Sequence, residues 1–137
     1  MHFENSLGAE IQANLPAMFK EALQSVVDGT DGAIAGLLMD FEGIPLESYA
    51  KHDALIDIET VGAEVSVVVK GIQRATQMLD AGETREVSFK SDRMTTLIRV
   101  INEGYFVALT LTPDANLGKG RYLLRLIAPK LADELAA

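Results

Sequence analysis

The chain contains no cysteine and only two histidines, His2 and His52. The first absence excludes a disulfide framework and a thiolate metal site, and it agrees with a cytoplasmic location. The second leaves any histidine-based metal site without helpers. His52, Asp53 and Asp57 fall in one linker and read as a solvated loop. No apolar run reaches the ~18–20 residues that span a bilayer, so direct membrane insertion is not expected. The opening MHFENSLGAE also lacks the basic region and apolar core of a signal peptide. Basic side chains are scarce: 12 Lys and Arg stand against 20 Asp and Glu, for a net charge of −8. Residues 1–64 hold 12 acidic and 2 basic side chains, whereas residues 65–137 hold 8 and 10. Phosphate binding wants a basic face, so nucleic acid is not expected as a partner. The modest cluster Lys119, Arg121, Arg125 and Lys130 reads as a solvated helix face.

Catalytic motifs are missing too. Asp40 and Glu42 resemble the start of a calcium loop whose closing ligands are absent. Gly118-Lys119-Gly120 fails as a P-loop, because Pro113 stands where the upstream glycine is needed and Gly120 where Ser or Thr is needed. There is no Gly-x-Ser-x-Gly elbow and no positioned pair of acids. The reading is of a binding or regulatory module, not an enzyme, with no cofactor, no metal and no catalytic residue.

What the chain does have is one long amphipathic stretch, from Asp57 to Asp80. Ile58, Val61, Val65, Val68, Ile72, Ala75 and Leu79 follow one another at spacings of three and four, which places them on one helical face. A second line, Thr60, Val67, Gly71 and Met78, lies on the flank of the first. The two lines cover roughly 220° of the cylinder, against the ~100° stripe of an ordinary surface helix. Glu59, Ser66, Lys70, Gln73, Arg74 and Gln77 mark the wet face. A helix that apolar needs a sheet on one side and a second body on the other, either a helix of the same chain or the same helix from another copy. Gly71 costs ~0.5–1 kcal/mol of helix stability relative to Ala, so it suggests close backbone approach at that point. A homodimer is the expectation.

Around this helix the chain reads in order. Phe3, Leu7 and Ile11 are compatible with an N-terminal arm or extra helix over residues 1–13, and residues 14–137 read as one domain. Pro16 opens the first secure helix, which buries Leu15, Met18, Phe19, Ala22, Leu23 and Val26 and ends near Gly29, a residue able to take the left-handed cap. Ala33 to Met39 is apolar on both alternations and so reads as a central strand covered on two faces. Asp40-Phe41-Glu42-Gly43 turns the chain into a return strand, Ile44 to Ala50, that Pro45 pushes toward an edge. After Gly82 the period changes to two. Thr84 to Lys90 places Arg85, Val87 and Phe89 on one side and Glu86, Ser88 and Lys90 on the other, as an edge strand does. Met94 to Ile101 and Tyr105 to Leu111 form a hairpin around Asn102-Glu103-Gly104. Asp114 or Asn116 caps a last helix with Leu117, Leu124, Ile127, Leu131 and Leu135 on one face and Pro129 on the wet side.

The order is α-β-β-α-β-β-β-α. An α+β three-layer sandwich satisfies it: a five-stranded antiparallel sheet with the long helix on one face and the other two helices on the opposite face.

Three stretches resemble the roadblock family, the roadblock-type dynein light chains and their bacterial relatives of the gliding-motility MglB type. They are residues 32–48 (GAIAGLLMDFEGIPLES), the long helix, and residues 112–125 (TPDANLGKGRYLLR). The similarity runs from about residue 15 to residue 135 and leaves out the first 13 residues and Pro129. The resemblance implies a roadblock/longin-like fold and dimers that pair their long helices and join sheets edge to edge. On this chain the seam would take Thr60, Val67, Gly71 and Met78 from the helix, and Val87 and Phe89 from the edge strand. It also implies binding to a small Ras-like GTPase, as a stimulator of hydrolysis or a scaffold, and the polar strip Ser66, Lys70, Arg74 and Gln77 beside the apolar seam is the contact this chain would offer. Regulators of this kind rearrange the GTPase and donate no catalytic residue. Arg74, Arg85, Arg93 and Arg99 are the candidates for an arginine finger, a role that exposed arginines seldom have. The alternatives are a nucleotide-insensitive adaptor of a motor or membrane-associated complex, and a small-molecule sensor with an enclosed polar pocket.

Overall fold

The structure is a computed structural model that describes residues 16–51 and 57–136. The N-terminal arm, His2, His52 and Asp53 lie outside the described residues. Helix α1 spans Ala17–Gly29, and the Pro16 carbonyl accepts from the Phe19 N–H at 3.1 Å in its first turn. Strands β1 (Ala33–Asp40) and β2 (Pro45–Ala50) follow, then the long helix α2 (Ile58–Met78). Strands β3 (Glu86–Lys90), β4 (Thr95–Val100) and β5 (Tyr105–Leu111) complete the sheet, and helix α3 (Leu117–Ala136) closes the chain.

The strands pair antiparallel in the order β2-β1-β5-β4-β3. The doubly apolar β1 is therefore central, beside β5, while the proline-started β2 and the charged β3 are the edges. Each face of β1 feeds a different core. Ala33 and Leu38 join α1 and α3 through Leu23, Val27, Leu124 and Leu131. Ala35, Leu37 and Met39 join α2 through Ile58, Val65 and Val69. Among the described residues, helix α2 thus lies alone on one face, with α1 and α3 on the other, as the two-sided burial of β1 demands.

Local chemistry sets the ends of the elements. The Asp40 carboxylate accepts from the N–H groups of Glu42 and Ile44, both at 2.9 Å, and Gly43 takes φ +90° to close the hairpin. Asp57 caps α2 by accepting from the Thr60 N–H at 3.3 Å and from its hydroxyl at 2.7 Å. Those bonds favour the ionised carboxylate, the hydroxyl bond most of all, and hold Asp57 below its ordinary pKa. Of the two cap candidates for α3, Asn116 serves, accepting from the Lys119 N–H at 3.1 Å.

One glycine expectation is corrected. The left-handed residue after α1 is Gly32 at φ +87°, not Gly29, which stays helical while Thr30 closes the helix in extended geometry. The approach of α2 to its own sheet is closest at Gly62, whereas the one expected at Gly71 concerns the helix's second partner. A Cβ on Gly62 would overlap the Leu37 side chain and come within 2.8 Å of Met39 Cε. A Cβ on Gly71 would find its nearest atom among the described residues in an Arg74 nitrogen at 3.9 Å.

Candidate functional site: the outer face of the long helix and an adjoining groove

Small residues decide how α2 rolls on the sheet. Gly62 lets the backbone settle onto Leu37 and Met39, and the neighbouring Ser66 is small enough to turn inward beside it. The buried face accordingly runs through Ile58, Gly62, Val65, Ser66 and Val69. This splits the predicted apolar line lengthwise. Ile58, Val65 and Ile72 pack into the core, whereas Val61, Val68, Ala75 and Leu79 stay exposed.

The outward arc therefore remains apolar and without a partner among the described residues. Val67 is 66% exposed, Val68 53%, Met78 87% and Leu79 76%. Apolar residues scattered singly on a surface are ordinary; several along one side of a helix are not. Phe89 on the edge strand is also exposed. Glu64 lies exposed within this arc.

Of the predicted seam, Val67, Met78 and Phe89 are presented to solvent and Gly71 is half-buried. Thr60 is exposed but its hydroxyl is spent on the Asp57 cap. Val87 does not belong with them. It is buried against the α2 core, because the inward alternation of β3 carries it under the helix.

Of the predicted polar strip, Ser66 is buried and donates its hydroxyl to the Ala63 carbonyl at 2.7 Å, so it is no part of the wet face. Lys70, Arg74 and Gln77 are brought together, and they form one wall of a groove of about 430 Å³. The opposite wall comes from Glu83, Thr84 and Arg85 ahead of β3 and from Asn102 and Glu103 in the β4–β5 turn. Lys70 also reaches Glu42 of the β1–β2 turn at 3.8 Å. The hydroxyls of Thr76 and Thr84, 2.8 Å apart, tie α2 to the approach of β3. Sequence reasoning singled out Arg85 only as an exposed arginine and missed Asn102 and Glu103, which are distant in sequence and look like turn formers. The groove's polar groups come from helix and loops rather than from strand interiors.

The other arginines considered have different surroundings. Arg93 is exposed in the β3–β4 turn. Arg99 is half-buried, its Nε enclosed without a hydrogen-bond partner among the described residues, and it sits cross-strand from Glu86. Glu86 in turn pairs with Arg121 of α3 at 3.1 Å. Among the described residues no group of His, Asp and Glu is placed to hold a metal ion, and no helix is long and apolar enough to cross a membrane.

No family model matches the sequence, and no curated protein matches it. Solved structures do. MglC from Myxococcus xanthus is 35% identical, over 85% of this chain and 98% of its own, with a TM-score of 0.62. An MglB in a tetrameric arrangement is 22% identical over 88% of this chain and 91% of its own, with a TM-score of 0.78. A Roadblock/LC7 domain from Streptomyces avermitilis is 14% identical over 85% of this chain and 96% of its own, with a TM-score of 0.76. The latter two share the helix and strand arrangement at low identity and speak for the fold alone, whereas the likeness to MglC extends to sequence over nearly that whole protein. With the five-stranded sheet, the lone long helix and the paired helices behind it, this places the chain in the roadblock family.

Proposed function

We propose that this chain is a homodimeric, non-catalytic regulator or platform for a small Ras-like GTPase, acting in the cytoplasm. The observation that carries the reading is the apolar arc of α2, Val67, Val68, Met78 and Leu79, unpartnered among the described residues, in a protein of the roadblock family. Pairing of two such arcs would bury them at the centre of a dimer. It would also set the cationic strips of the two copies on one composite surface. The tetrameric arrangement of an MglB of the same fold supports self-association. A GTPase seated beside the paired helices would meet Lys70, Arg74 and Gln77, and rearrangement of its switch loops would need no residue from this chain in the reacting centre.

The test is a binding titration against a Ras-like GTPase from the same genome in its GTP and GDP states, with GTP turnover measured in parallel. Binding that prefers one nucleotide state, or a changed turnover, is the expected result. Equal affinity for both states with unchanged turnover would favour the adaptor reading. Absence of binding in both states would overturn the GTPase reading.

A further inference from the structure

The groove beside α2 has a composition that its position does not require. Its apolar lining is limited to Val100 and Ile101, and the remainder is polar or charged apart from Gly82. Lys70, Arg74 and Arg85 converge on it in a chain whose net charge is −8. Arg74 and Arg85 make no ion pair among the described residues, although Glu83 and Glu103 line the same groove. Lys70 is held only by an exposed carboxylate at 3.8 Å, a contact that water and salt weaken readily. Gln73, Gln77 and Asn102 add side-chain amides along the same walls. The walls themselves are braced, by the Thr76–Thr84 hydroxyl contact at one side and by the Phe41 N–H bonded to the Gly104 carbonyl at 3.1 Å beneath the turns.

Two guanidinium groups without acid partners among the described residues, an ammonium group weakly held and several amides are the groups that recognise carboxylates. A cavity of about 430 Å³ admits a few side chains of a docking segment. We infer that this groove is the docking site for an acidic segment, rich in Glu or Asp, of a partner protein. The inference deepens the proposed function, since Lys70, Arg74 and Gln77 belong to the same strip, and it names the chemistry that the strip would read. Charge complementarity there would act chiefly on the encounter rate and on specificity, and would fall with ionic strength.

The test needs no GTPase. A short fluorescein-labelled peptide of glutamate and serine is titrated with the full chain, and anisotropy is read at low and at high salt. A serine-only peptide, free glutarate as competitor and a labelled oligouridylate serve as comparators. The expected result is saturable, salt-sensitive binding of the acidic peptide, weakened roughly tenfold or more when Arg74→Glu and Arg85→Glu are combined. Arg125→Glu combined with Lys130→Glu, an equal charge change on α3 away from the groove, should leave it unchanged. Circular dichroism of both variants would show that they remain folded. No binding of the acidic peptide, equal loss in both variants, stronger capture of the oligouridylate, or full competition by glutarate at concentrations comparable with the peptide would each overturn the inference. Peptide binding by a chain that binds no GTPase would sustain the groove and remove only the GTPase.

Discussion

Gly62 of the long helix rests directly on Leu37 of the central strand, with no room for a single methyl group between them. That contact sets the roll of α2 and so decides which residues are left facing outward. Gly62→Ala should therefore force Leu37 and Met39 aside and destabilise the fold by about 1–3 kcal/mol, the usual cost of overpacking. Gly71→Ala, whose new methyl would meet only the end of the Arg74 side chain among the described residues, should leave stability unchanged or raise it by up to about 1 kcal/mol through helix propensity. Urea denaturation of the two variants checks the contrast. Equal effects would mean that the roll of the helix is not set at Gly62.

The exposed arc makes a separate prediction about assembly. Val67→Glu and Gly71→Arg should each yield a folded monomer, because they place charge or bulk on the outer face without touching the core. Light scattering measures the mass of each variant and circular dichroism its fold. If both variants remain dimeric, the seam lies elsewhere on the molecule.

Ser66 and Arg74 should separate cleanly. Ser66→Ala removes a buried hydroxyl whose bond is to its own helix, so partner affinity should be unchanged. Arg74→Glu reverses an exposed charge on the groove wall and should weaken binding severalfold, more so at low salt. A titration against the bound partner reads both. Loss of affinity in the Ser66 variant alone would contradict the buried placement.

The Asp57 cap carries a signed pH dependence. Its carboxyl sits below the ordinary carboxylate range in the folded chain, so the unfolded chain binds a proton more readily than the folded one. The stability contributed by the ionised cap is present above the unfolded value and is lost as pH falls through the folded one. Denaturation across an acid series should show the advantage of the native chain over Asp57→Ala shrinking in that window. An advantage that grows with acidity would reverse the assignment.

Much of this architecture was legible residue by residue. The run Ala33 to Met39 is apolar on both alternations, and that alone requires cover on two faces. The charged alternation of β3 and the proline of β2 marked the edges, because an edge tolerates groups that a central ladder does not. Gly43 was readable as a left-handed turn residue from Asp-Phe-Glu-Gly alone. Gly32 was not, since a glycine three residues earlier served the same pattern equally well, and only the path into β1 distinguishes them. Ser66 was misplaced because a serine is read as wet unless something shows what it packs against. The groove was legible on one wall, Lys70, Arg74 and Gln77, and illegible on the other.

The order of elements, the layering and the excess of apolar surface on α2 were determined by the sequence itself, for side-chain period and turn chemistry act over a few neighbouring residues. The roll of that helix was decided only by tertiary structure, and with it the outward placement of Val67 and Val68 and the burial of Ser66 and Val87. It depends on the fit of Gly62 against Leu37 and Met39, which lie 25 and 23 residues earlier in the chain. Close packing between distant segments leaves no trace in a local repeat, because the void one of them offers exists only once the other has been placed against it.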